Sequence, residues 1–121
     1  MINQQHKPQI EVYWNGTQLS ANLLQHLLQG IEEEGVPYHV VEQDVLLDAI
    51  QLSVNAALDS LLEVGIGCDH DGNLALHHRR LADNQTLFQA SWPYQIATLR
   101  LFGSHAARLV KSLPFKLQGT E

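Results

Sequence analysis

Apolar residues recur along the chain with two different spacings, and each spacing predicts one type of element. Short runs that are β-branched, aromatic or continuously apolar predict five strands, at 10–14, 38–41, 61–68, 73–77 and 86–88. Longer segments with apolar residues every three or four positions predict three helices, at 20–34, 45–60 and 93–112. The order βαβαβββα predicts an α/β fold: a single three-layer αβα domain with a mixed, mostly parallel sheet.

Residues that cap or break helices mark the ends of these elements. Ser20 is a suitable N-cap for the first helix and Asp44 for the second. Pro114 should end the third helix, because proline disrupts the helical turn that precedes it. Gly103 lies on the apolar face of that helix, where we expect it to allow a close approach to the sheet. Polar termini leave a core over about 10–115 of the 121-residue domain.

Composition narrows the classes of protein to which the chain can belong. Thirteen acidic residues against seven lysines and arginines give a formal net charge of −6, which argues against nucleic-acid binding. No apolar run reaches the roughly 18 residues of a membrane span, and residues 1–8 lack the apolar core of a signal peptide. Cys68, the single cysteine, cannot form an internal disulfide. We therefore expect a cytoplasmic protein.

Sequence patterns typical of catalysis are absent. The chain has no Gly-x-Ser-x-Gly elbow, no phosphate-binding loop and no Gly-x-Gly-x-x-Gly fingerprint. His77 and His78 are neighbours in a predicted strand, so they should point to opposite faces and cannot chelate one metal ion together. The segment 68–72, with one cysteine, two aspartates and a histidine, is better explained as a tight turn than as a zinc site. We expect a non-catalytic chain that binds a protein partner.

Three consecutive glutamates, Glu32, Glu33 and Glu34, form the most informative segment. They lie at the C-terminal end of the first helix, where the macrodipole disfavours each negative charge by about 0.3–1 kcal/mol. No lysine or arginine lies within four residues to offset this. At about 100° per residue, Glu33 points most nearly opposite the leucine stripe, while Glu34 flanks the stripe. Either this is a solvated acidic helix end, or Glu33 meets a cation or a metal site completed by a partner, for which Mg²⁺ is suitable.

Four segments in order resemble one known family. They read GIEEEGVPY at 30–38, VGIGCD at 64–69, LALH at 74–77 and AARLVKSLPF at 106–115. Together they resemble the small (β) subunit of the reactivating factor for adenosylcobalamin-dependent diol and glycerol dehydratases, and the resemblance extends over about 10–115. The chain departs from the family pattern around 43–59 and 82–102, which leaves the second helix and the partner-facing loops less defined.

The resemblance implies a fold and a function. The fold would be similar to that of the medium subunit of the dehydratase. The chain would pair with a large subunit that has an actin/heat-shock-70-like ATPase domain, and the complex would release damaged cobalamin from the dehydratase. In that process the small subunit leaves and the dehydratase medium subunit takes its place. The resemblance also assigns Glu33, with Glu32 as the fallback, as a ligand of Mg²⁺ at the interface, and it implies no cofactor on this chain alone.

Two alternatives stay open at this point. The chain could instead be a medium-type subunit of a B12-dependent dehydratase, which helps to hold cobalamin. It could also be a freestanding enzyme or small-molecule binder, with a pocket at the carboxyl ends of its strands. The client (diol or glycerol dehydratase) and any association with a bacterial microcompartment are not decided by the sequence.

Overall fold

The sheet has five strands and is mixed. The computed structural model describes residues 7–119, with side chains up to residue 111. The strands are Ile10–Trp14 (β1), Tyr38–Glu42 (β2), Val64–Cys68 (β3), Leu74–His78 (β4) and Phe88–Ala90 (β5); the helices are Ala21–Glu33 (α1), Ala49–Asp59 (α2) and Ile96–Gly119 (α3). In the order β2-β1-β3-β4-β5, β1 is parallel to both neighbours, whereas β3–β4 and β4–β5 are antiparallel. Two strand pairings are thus parallel and two antiparallel, so the sheet is mixed as predicted but not mostly parallel.

The helices cover both faces of this sheet, so the predicted α/β architecture with three layers is confirmed. Alternate residues of each strand point to opposite faces. On one face, the sheet packs against α1 and α3 and forms the main apolar core. Its fully buried residues include Ile10, Val12, Val64, Ile66, Leu76, Leu27, Ile31 and Leu99. Each such side chain contributes about 1.5–3 kcal/mol by leaving water, so this layer is a major source of stability.

On the other face, α2 lies directly on the backbone of β3. A methyl group added at Gly65 would lie 2.6 Å from the carbonyl oxygen of Ser53, and one added at Gly67 would lie 2.5 Å from the Ser53 nitrogen. Neither distance leaves room for a real Cβ atom, so the two glycines are required by the closeness of helix and strand.

Helices α1 and α3 cross at a second pair of glycines, Gly30 and Gly103. A Cβ atom at Gly30 would overlap the carbonyl oxygen of Arg100, and one at Gly103 would overlap that of Leu27. The prediction for Gly103 was therefore wrong in its partner, since the close approach is to α1 and not to the sheet. The reason is that α1 and α3 share one face of the sheet, where they contact each other and enclose one apolar core with the strands.

The start of α2 also differs from the prediction. The helix begins at Ala49 and its N-cap is Asp48, not Asp44. The Asp48 carboxylate accepts from the Gln51 backbone N–H at 2.8 Å, and the Gln51 side chain accepts from the Asp48 N–H at 3.1 Å. This reciprocal pair is a capping box, which satisfies two backbone donors where a single cap satisfies one. The cap at Asp48 is therefore the stronger of the two.

The predicted bounds of α3, 93–112, were wrong at both ends. The helix begins at Ile96, not at 93, and continues through Pro114 to Gly119. Proline removes one helical hydrogen bond, but its fixed φ is compatible with helix, so it does not force an end. The last strand, Phe88–Ala90, lies two residues later than predicted. None of the helices in the described part of the chain is long and apolar enough to cross a membrane.

Candidate protein interface at the end of the first helix

Helix α1 presents its three glutamates at a well-defined end. Its predicted N-cap is confirmed, because the Leu23 N–H donates to the Ser20 hydroxyl oxygen at 3.2 Å. At the other end, Gly35 has a φ of 77° and its N–H donates to the Glu32 carbonyl at 2.9 Å. This left-handed residue ends the helix and turns the chain into β2. Glu32 and Glu33 therefore lie on the surface, and Glu34 at the junction with α3.

Glu34 is held by three side chains of α3. Its carboxylate accepts from the Lys111 ammonium at 2.8 Å, the Ser104 hydroxyl at 3.1 Å and the Arg108 guanidinium at 3.1 Å. The side chain is 18% exposed. The hydrogen bond from Lys111, followed by those from Ser104 and Arg108, lowers the pKa of Glu34 to about 2. Glu34 therefore joins α1 to α3 and is not available to another molecule.

Among the described side chains Glu33 has a single partner, and that partner is exposed. Its Oε2 accepts from the Arg100 guanidinium at 2.9 Å, and the two side chains are 55% and 49% exposed. Among the side chains that the structure describes, none hydrogen-bonds to Glu33 Oε1. Glu32 is also exposed, and its carboxylate accepts from the Tyr38 hydroxyl at 3.1 Å. Burial, followed by the hydrogen bond to Glu32, raises the pKa of Tyr38.

No lysine or arginine lies within four residues of these glutamates along the chain, but the fold supplies cations from elsewhere. The partners Arg100, Arg108 and Lys111 come from α3, up to 77 residues away along the chain. The sequence does carry one signal for this pairing. Gly30 and Gly103 lie on the apolar faces of their helices, and small residues at such positions indicate that two helices pass close together.

The exposed carboxylates can contribute to a metal site but do not form one. Within residues 7–111, no group of three or more histidine, cysteine, aspartate or glutamate side chains could hold a metal ion. Mg²⁺ usually takes one or two protein carboxylates and keeps several waters or other oxygen ligands. Glu33, with its outer oxygen unengaged, fits one ligand of a site that a second molecule completes. The assignment of Glu33, with Glu32 as the fallback, stays a prediction.

The turn between β3 and β4 has a structural role. The Asp69 carboxylate accepts from the Asp71 and Asn73 N–H groups at 3.0 and 2.9 Å, and from the Ala49 N–H at 3.2 Å. It therefore fixes the turn and joins it to the start of α2. Burial raises the pKa of Cys68 to about 12, which keeps this thiol protonated.

The paired histidines separate as expected from strand geometry. His77 Nδ1 lies 2.8 Å from the Gln85 carbonyl oxygen, whereas His78 Nε2 lies 3.7 Å from the Glu63 carboxylate. Burial lowers the pKa of His78. The depressions near the carboxyl ends of the parallel strands are open, and Asp69, which lines two of them, is fully engaged in the turn. These features give the small-molecule alternative no specific support.

Comparison with known proteins defines the class to which this fold belongs. The family described as "Dehydratase medium subunit" matches residues 7–116, so the chain belongs to that family. Within it, the relatives are more specific. The propanediol dehydratase-reactivating factor small subunit of Citrobacter freundii is 39% identical over 90 residues, which cover 74% of this chain and 76% of that protein. The chain is thus a member of the dehydratase-reactivating factor small subunits, and the resemblance seen in the sequence is confirmed.

Other relatives agree with this membership. The probable glycerol dehydratase-reactivating factor small subunit of Citrobacter freundii is 32% identical over 108 residues, 89% of this chain and 92% of that protein. A solved structure described as "Glycerol dehydratase reactivase" superposes with a TM-score of 0.83 at 33% identity, over 89% of this chain and 96% of that one. A diol dehydratase-reactivating factor complexed with ADP and Mg²⁺ gives a TM-score of 0.78 at 33% identity, over 90% and 97% of the two chains.

Proposed function

We propose that this chain is the non-catalytic small subunit of a reactivase that releases damaged cobalamin from a diol or glycerol dehydratase. It binds a large ATPase subunit and exchanges there with the medium subunit of the dehydratase. One observation carries the proposal: the chain belongs to the dehydratase medium subunit family, and within it is 39% and 32% identical to two reactivating factor small subunits. Two chains of one fold can present similar surfaces to a third, which is what an exchange of subunits requires. We place this function in the cytoplasm.

We propose further that Glu33 is the ligand that this chain supplies to Mg²⁺ at the interface with the large subunit. The carboxylate is exposed, and in the described part of the chain it has one partner, itself exposed. Most ligands of the ion would come from the large subunit. An interface that depends on one carboxylate and one cation can be specific and still dissociate, and dissociation is needed for an exchange.

The test is binding to the cognate large subunit by analytical ultracentrifugation, in Mg²⁺ and in EDTA. We expect wild type to bind in Mg²⁺ and to weaken in EDTA, and Glu33→Gln to lose at least about tenfold in affinity, which corresponds to about 1.4 kcal/mol. Glu32→Gln tests the fallback residue. Glu42→Gln, an exposed carboxylate at the far end of β2, is the control with the same change of charge. If neither EDTA nor Glu33→Gln nor Glu32→Gln weakens binding, the large subunit is still the partner, but these glutamates do not bind Mg²⁺ at the interface.

The second candidate, a medium-type subunit of the dehydratase itself, is favoured by the description of the matching family. It predicts no binding to a reactivase large subunit, and a native complex that carries the absorbance of cobalamin. Purification of the native complex and its visible spectrum separate the two functions. The coverage argues for the reactivase, since the matched segment spans 92% of a small subunit of this kind.

A further inference from the structure

Arg100 is fixed opposite Glu33 by the crossing of the two helices. Gly30, three residues before Glu33, lies against the backbone of α3: a Cβ atom there would overlap the Arg100 carbonyl oxygen and lie 2.9 Å from the Ser104 nitrogen. The backbone of Arg100 therefore cannot move away from α1 without opening a buried contact. Because the Arg100 backbone is fixed there, its guanidinium stays close to the Glu33 carboxylate, to which it donates a hydrogen bond at 2.9 Å.

The three glutamates differ in how easily a cation could reach them. Glu34 is surrounded by two cations and a hydroxyl and is largely buried. Glu32 has a neutral donor, Tyr38. Within residues 7–111 Glu33 has one cationic partner, and about half of each of the two side chains is in contact with water. An exposed ion pair of this kind changes an equilibrium constant by about twofold to fivefold, so another cation can displace the guanidinium.

Given the proposed role of Glu33, on which this inference rests, we propose that Arg100 competes with the divalent cation for that carboxylate. In the free subunit Arg100 occupies Oε2 of Glu33. On assembly the cation binds the same carboxylate, and because two positive groups on one carboxylate repel each other, the cation and the guanidinium weaken each other's binding. The guanidinium cannot lose its charge to avoid this. Arg100 therefore sets the Mg²⁺ concentration at which the small subunit joins its partner.

The experiment is a Mg²⁺ titration of the association between the small subunit and the large subunit. We expect Arg100→Met, which keeps a long aliphatic stem in the helix, to lower the Mg²⁺ midpoint by about twofold to fivefold. Arg100→Lys keeps the charge and should remain near wild type. Arg108→Met is the matched control, because it removes the same charge from the same helix but contacts Glu34. Its midpoint should equal that of wild type. Added salt should reduce the gain of Arg100→Met, since it screens the competing charge.

A double variant separates this inference from the function on which it rests. In the Glu33→Gln background, Arg100→Met should cause no further shift of the midpoint, because nothing is left to compete for. If Glu33→Gln weakens binding but Arg100→Met leaves the midpoint unchanged or raises it, the competition is overturned and the interface stands. If wild type shows no Mg²⁺ dependence and Glu33→Gln binds like wild type, the metal role of Glu33 fails and the competition fails with it.

Discussion

Two pairs of glycines hold helices in this protein, and they differ in what surrounds them. Gly65 and Gly67 bring α2 onto β3, a strand that is buried along its whole length. Gly30 and Gly103 bring α3 onto α1, at a crossing whose rim carries glutamates, arginines and a lysine. The first contact can only support the fold. The second also fixes charged side chains at the surface, so the same packing device serves stability in one place and a candidate interface in the other.

The largest effect should come from Gly67→Val. The added side chain would overlap the Ala49 carbonyl oxygen and lie within 2.5 Å of the Ser53 nitrogen, so α2 must leave β3. We expect a loss of about 3 kcal/mol or more in the free energy of unfolding, measured by urea denaturation. Gly35→Ala is the control: it has a positive φ but no atom near the added methyl group, and should lose only about 1 kcal/mol. Equal losses in the two variants would contradict the steric explanation.

Gly103→Ala should have a smaller effect on stability but a wider one on the surface. The methyl group would push α1 from α3 at the Leu27 carbonyl, which costs about 1–3 kcal/mol. Alanine recovers up to about 1 kcal/mol through its better helix propensity. A lower free energy of unfolding, together with a shift of the Mg²⁺ midpoint of association towards that of Arg100→Met, would show that the crossing holds Arg100 opposite Glu33. A variant more stable than wild type would show that the helices are not in contact there.

The smallest effect concerns the rim of the crossing and depends on pH. The pKa of Glu34 is lowered to about 2 in the folded protein, whereas an unperturbed glutamate has a pKa of about 4.3. The ionised carboxylate therefore stabilises the fold above the unfolded value, and the contribution is lost as pH falls from about 5 through the folded pKa of about 2. Wild type should melt at a higher temperature than Glu34→Gln at pH 6, and the difference should shrink steadily and disappear below about pH 2. A difference that does not change with pH would assign the effect to packing.

Local chemistry determined how much of the fold could be predicted from the sequence. β1 and the N-cap of α1 were predicted correctly, because a β-branched run and a serine before a leucine stripe act within a few residues. The start of α2 was misplaced because Asp44 and Asp48 both suit an N-cap, and only the reciprocal bond with Gln51 distinguishes them. The helix end predicted at Pro114 was wrong, because proline disfavours a helix without excluding it.

The candidate site was predictable in position but not in its contacts. Helical geometry identified Glu33 as the outward-pointing glutamate, and the structure shows its side chain 55% exposed. Its partner Arg100 lies 67 residues away, and nothing in the spacing of a single helix predicts which residue of another helix will meet it. Tertiary pairing of this kind depends on how α1 and α3 cross, which the sequence indicates only through two glycines.

The buried thiol of Cys68 has a practical consequence. Because its pKa is raised to about 12, almost none of it is thiolate at neutral pH, and alkylating reagents react with the thiolate. A fluorescent maleimide should therefore not react with Cys68 in the folded protein. It should label only a cysteine introduced at an exposed position, such as that of Glu42→Cys. With one dye on this subunit, its departure from a complex and its replacement by another chain could be followed in real time as a change in anisotropy.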